Sequence, residues 1–85
     1  GRFGEAAAAY RTALQRGGGD RSAINLRLGA AAALAGRRDE AEAAFRVTAG
    51  SGGDTPASRW YPDMARLWLA WLAHPAAGAA PPATR

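Results

Sequence analysis

Residues 20–50 read DRSAINLRLGAAAALAGRRDEAEAAFRVTAG, and the spacing of large and small apolar residues in this stretch decides the fold. Asp20 and Ser22 carry side-chain oxygens that can accept from the free N–H groups of a first helical turn. After them Ile24, Leu28, Ala31 and Ala35 recur at steps of three and four, and Leu26, Ala30, Ala33 and Leu34 make a second stripe. A helix with two apolar stripes must touch neighbours on two sides, which predicts a central helix over 22–35. Gly36 ends it by permitting the left-handed backbone of a tight reversal. Over 38–49 Ala41, Ala44, Phe45 and Thr48 fall on one buried side. Asp39, Glu40 and Glu42 open this segment, where a helix favours negative charge, and Glu42 with Arg46 forms an i,i+4 pair.

Glycine clusters at Gly17–Gly19 and Gly50–Gly53 bound this pair of helices and set off a further segment on each side. Upstream, Phe3, Ala6, Tyr10, Ala13 and Leu14 share one face of a helix predicted over 3–16. Downstream, Thr55-Pro56 offers a cap followed by proline at the first helical position. The expectation is a helical region over 57–73, with a short first turn from Pro56 and the main helix starting at Pro62. Its buried stripe reads Met64, Leu67, Trp68, Trp71 and Leu72, with Ala65, Leu69, Ala70 and Ala73 opposite. His74-Pro75 stops it, and 76–85, with Pro81-Pro82 and small residues, reads as a flexible or extended tail. No segment alternates with period two and β-branched residues are few, so the fold is all-α, built of antiparallel helical hairpins.

The chain has 85 residues, enough for one domain, placed at 1–75. Alanine supplies 24 of the 41 hydrophobic residues, so the core rests on a few large side chains. A chain this short buries only about 60% of its unfolded surface, which leaves it in need of association. Without cysteine there is neither a disulfide nor a thiolate metal site. The net charge of +4 comes from eleven arginines and no lysine against seven acids. An alanine-, glycine- and arginine-rich chain without lysine points to a GC-rich bacterial genome before it points to nucleic acid. Apolar runs stop short of a membrane span, and no targeting signal is visible. The expectation is a soluble protein, cytoplasmic or periplasmic, and the start at Gly1 suggests a fragment of a larger protein.

The stretches that begin at Gly1 and Gly36 match each other. Each has glutamate four residues on (Glu5, Glu40), alanine five on (Ala6, Ala41), an aromatic nine on (Tyr10, Phe45) and a small residue twelve on (Ala13, Thr48). The offset of 35 residues is close to the period of about 34 in tetratricopeptide repeats, and Leu28-Gly29 precedes Gly36 at the spacing seen in the first helix of such a repeat. The sequence thus resembles the tetratricopeptide repeat (TPR) family. The resemblance covers residues 1 to about 50: the second helix of one repeat (1–16), then one full repeat (22–49). Residues 57–73 depart from it, with tryptophans where a repeat needs a small residue, and read as a capping helix. The resemblance implies a fragment of an α-α superhelix in which Gly29 and Ala41 sit where paired helices come closest.

No phosphate-binding loop is present, since the glycine clusters lack the lysine that would follow. His74 has no partners for a metal site. Ser22, Ser51 and Ser58 have no strand-to-helix elbow, and Asp39, Glu40 and Glu42 read as a solvated first turn. The sequence therefore predicts no catalytic residue, no metal and no cofactor, and the chain is not read as an enzyme.

The leading expectation is a protein-protein interaction module or scaffold that holds a hydrophobic or helical peptide segment in a groove. By the resemblance, the groove residues are Ala23, Leu26, Arg27, Ala30 and Ala33. Asn25 and Arg27 alone do not make up the set with which some family members clamp a terminal carboxylate. Phe3, Tyr10, Trp60 and Leu69 are candidates for an interface, Trp60 being read equally as core. The alternative from another class is binding of nucleic acid or an anionic surface through Arg2, Arg11, Arg16, Arg21, Arg27, Arg37 and Arg38. Apolar surface at Phe3, Tyr10 and Leu14, or at Leu69 and Ala73, also suggests a two-fold homodimer.

Overall fold

The computed structural model describes residues 2–17, 19–51, 56–74 and 81–82; the predicted cap at Thr55 and most of the predicted tail lie outside them. Four helices follow one another: α1 Arg2–Arg16, α2 Arg21–Leu34, α3 Arg38–Gly50 and α4 Pro56–Ala73. Helix α2 is central, as its two stripes predict: it packs against α1, α3 and α4, and α3 packs between α2 and α4.

The turns follow from local chemistry. The Asp20 carboxylate accepts from the backbone N–H of Ser22 at 2.9 Å and of Ala23 at 3.4 Å, capping α2. At the far end Gly36 has φ +82°, the Arg37 N–H donates to the Ala32 carbonyl at 2.8 Å, and the Gly36 N–H donates to that of Ala33 at 3.2 Å. This paired closure satisfies carbonyls that the end of the helix would otherwise orphan. Ser22, the other predicted cap, instead joins a polar seam. Its hydroxyl lies 2.9 Å from that of Ser51, which donates to the Thr48 carbonyl at 2.6 Å. The buried Thr48 hydroxyl donates within reach of the Ala44 and Ser22 carbonyls, 3.3 and 3.4 Å away. Arg66 of α4 donates to the Ala49 carbonyl at 3.2 Å. The start of α2, the end of α3 and the middle of α4 are thus tied at one place.

The core has two parts. In the larger, Phe45 and Trp68 stack with centroids 5.2 Å apart and planes 18° from parallel, surrounded by Leu26, Ala30, Ala32, Ala41, Ala65 and Leu72. Trp68 meets Trp71 edge-on at 5.6 Å. Each of the two stacked rings, all but fully buried, contributes about 2 to 3 kcal/mol. In the smaller part Ala7 of α1 meets Leu28 and Ala31 of α2 and Ala44 of α3.

Several sequence expectations are corrected here. Helix α4 is rotated: Leu67, predicted buried, is 55% exposed, while Ala65, predicted on the back, is fully buried. A helix lodged against two others needs its smallest residue at the closest approach, so Ala65 outcompetes Leu67 for the inward position. Leu69 turns toward the core and packs against it, while Ala70 and Ala73 stay exposed, so the predicted apolar back is absorbed only at Ala65 and Leu69. α4 also does not restart at Pro62; it runs unbroken from Pro56. Pro62 removes one helical hydrogen bond, but it is buried, and Trp60 and Tyr61 beside it pack on the core, so tertiary contact holds the first turns. In α1 the buried centre is Ala7, and Phe3 is 50% exposed. Leu34, placed on the second stripe of α2, is 43% exposed.

Candidate functional site

Among the described residues the backbone of α1 approaches α2 alone, with α3 reached only through side chains such as Ala7 and Arg11, whereas α3 lies between two helices. The consequence appears at positions related by the 35-residue offset. Ala41 and Phe45 are fully buried in α3; their counterparts in α1, Ala6 and Tyr10, are only half-buried. Beside them the surface opens into two adjoining hollows between α1 and α2. One, of about 200 Å³, is floored by Ala6, Tyr10, Ala30 and Ala31 and bounded by Arg27; the other, of about 410 Å³, by Gly4, Ala35 and Arg37. Phe3 and Leu34 line both, so the hollows form one cleft with two large exposed apolar side chains at its waist. Its lining includes two arginines and no acid.

The predicted groove and interface residues are redistributed by the packing. Arg27 and Ala30, from the groove set, come together with Phe3 and Tyr10, from the interface set, in this one cleft. Ala23 and Leu26 do not line a groove: both are buried, Leu26 in the main core. Ala33 packs partly buried against the same core, as do Trp60 and Leu69. Trp60 also meets Tyr61 edge-on at 5.0 Å. Asn25 is buried and donates to the Arg21 carbonyl at 3.1 Å, which takes it out of any carboxylate clamp. Leu34, which sequence reasoning placed inside, is the cleft residue it missed. Its position in the last turn of α2, one residue before the cap at Ala35, was the available signal.

Electrostatics near the cleft centre on Glu40. Arg11 Nε of α1 lies 2.7 Å from Glu40 Oε2, though its N–H is not aligned on an acceptor, so the contact is chiefly coulombic. Arg11 Nη2 donates to Glu40 Oε1 at 3.5 Å, and Arg37 Nη1 stands 3.8 Å from the same oxygen. One carboxylate thus serves two guanidiniums. Glu42 is shared in the same way by Arg38 at 3.0 Å and Arg46 at 3.7 Å, and Asp63 holds Arg66 at 3.0 Å. Among the described residues no group of three or more His, Asp or Glu could hold a metal ion, and no helix is long and apolar enough to cross a membrane. Comparison of the chain with family models, with curated proteins and with solved structures returned no match.

Proposed function

We propose that this chain is a non-catalytic, TPR-like interaction module that binds a hydrophobic or helical segment of another protein. The observation that carries the reading is the cleft between α1 and α2, where Phe3 and Leu34 are about half exposed over a floor of small apolar residues. Scattered exposed leucines are ordinary on a protein surface, but large apolar side chains gathered at one concavity mark a binding surface. The TPR part of the proposal is supported by the 35-residue correspondence and by the packing of each helix on its predecessor, with α4 returning to α2. It is supported too by the contact of Gly29 with the Phe45 ring, where a small residue lets two helices approach. The anionic-ligand alternative is weakened because three of its seven arginines, Arg11, Arg37 and Arg38, stand against Glu40 or Glu42.

The test is a titration of two labelled probes, an amphipathic helical peptide and a short DNA duplex, at low and moderate salt. The peptide is expected to bind with affinity that changes little. Phosphate recognition would instead show as duplex binding that falls by about 10³-fold or more between 50 and 200 mM salt. Tight duplex binding with that slope, and no peptide binding, overturns the reading.

A further inference from the structure

The covered face of α1 is joined to the rest of the molecule by small side chains and one acid. Among the described residues α1 contributes Ala7 alone to the buried set, whereas the largest fully buried side chains, Leu26, Phe45, Thr48 and Trp68, lie on α2, α3 and α4. Ala7 meets Leu28, Ala31 and Ala44, with Ala6, Tyr10 and Leu14 packed alongside. An alanine methyl gains far less from burial than an indole or a phenyl ring, so the release of α1 costs less than the opening of the main core.

The acid is Glu40 of α3. Arg11 of α1 places Nε 2.7 Å from Glu40 Oε2 and Nη2 3.5 Å from Oε1, and Arg37 Nη1 stands 3.8 Å from that same Oε1. The two guanidiniums are not equivalent. Arg37 lies three residues before Glu40, its side chain makes no capping bond to α3, and it stays beside the carboxylate whatever α1 does. Arg11 leaves when α1 leaves. Both are positive and meet at one oxygen, so they also repel each other. We propose that Glu40 is a two-position latch. With α1 docked, the carboxylate is held chiefly by Arg11; when α1 lifts from α3, the carboxylate closes onto Arg37. The exchange lowers the cost of opening, because the acid is not left without a cation. Arg37 therefore works against the docking of α1, although it stands beside the group that holds α1 in place. The lifted helix bares Leu28, Ala31 and Ala44, the walls of the smaller part of the core.

The test is native-state hydrogen exchange of the full chain, read amide by amide by nuclear magnetic resonance. The amides from Ala7 to Leu14 report α1, and those of Phe45 and Trp68 report opening of the main core. The α1 amides are expected to exchange about tenfold or more faster than the core reporters. Relative to those reporters, Glu40→Gln should raise the α1 rate about threefold, and Arg37→Ala should lower it about threefold. The ratio removes any change in global stability that either substitution brings. In the Glu40→Gln background the effect of Arg37→Ala should shrink, since no carboxylate remains to be handed over. An α1 rate raised by Arg37→Ala would make Arg37 a support of the docked state and overturn the latch. An Arg37→Ala effect of equal size in both backgrounds would be repulsion alone and would also overturn it. So would an α1 rate unchanged by Glu40→Gln, or α1 amides that exchange at the core rate in every variant.

Discussion

Substitution of Gly29 tests the packing on which the rest of the molecule depends. A Cβ built on Gly29 would lie 2.6, 2.7 and 2.8 Å from three carbons of the Phe45 ring, far inside carbon–carbon contact at about 3.5 to 4.0 Å. The ring would have to retreat by about 1 Å. It cannot do so freely, because it is fully buried and stacked on Trp68, which is itself 1% exposed. Overpacking of this kind costs about 1 to 3 kcal/mol. Against it stands the gain of replacing glycine in the middle of a helix, about 0.8 to 1 kcal/mol. Gly29→Ala is therefore expected to destabilise by about 1 kcal/mol net, and Gly29→Leu, which forces a larger group into the same place, by about 3 kcal/mol. Gly4→Ala in α1 is the control: its Cβ would meet nothing within 4 Å, so it should be neutral or stabilising by up to about 1 kcal/mol. The assay is urea unfolding followed by helical circular dichroism and tryptophan fluorescence. The double variant Gly29→Ala, Phe45→Leu should be more stable than the sum of its parts by about 1 kcal/mol, since the smaller side chain vacates the contested space. A Gly29→Ala protein as stable as the parent or more so, or strict additivity in the double variant, would refute the close approach of α2 and α3 at this point.

Three further outcomes are expected. Asp20→Ala removes the side chain that accepts from the Ser22 and Ala23 N–H groups and should cost about 1 kcal/mol by urea midpoint, whereas Asp20→Asn should keep most of the cap. Gly36→Ala forces a Cβ onto backbone at φ +82° and should destabilise by about 1 to 2 kcal/mol although its Cβ would touch nothing, with Gly36→Asn costing less in the same assay. Trp68→Ala should lose about 3 to 5 kcal/mol. Trp68→Phe should lose far less, because the buried Trp68 Nε1 has no hydrogen-bond partner and its removal relieves that penalty; thermal unfolding of the two variants measures the difference.

The sequence by itself determined the helices, because their signals are local. Asp20, Gly36 and the three- and four-residue spacing of apolar positions act within one or two turns, and the predicted ranges 3–16, 22–35, 38–49 and 57–73 differ from the observed helices by a residue or so at each end. The double stripe of α2 also foretold its central place, and the spacing of Glu42 and Arg46 their ion pair at 3.7 Å. What the tertiary structure decided is which face of each helix turns inward. In an alanine-rich chain nearly every face is apolar enough to be buried, so side-chain size at the helix contacts sets the rotation: Ala65 goes in and Leu67 out, and Ala7 rather than Phe3 forms the buried centre of α1. The same cause placed the cleft. Leu26 and Ala23 were absorbed by neighbouring helices, and Leu34 was left in the open beside Phe3, because how many neighbours each helix has is settled by packing among distant segments, which spacing along one helix does not encode.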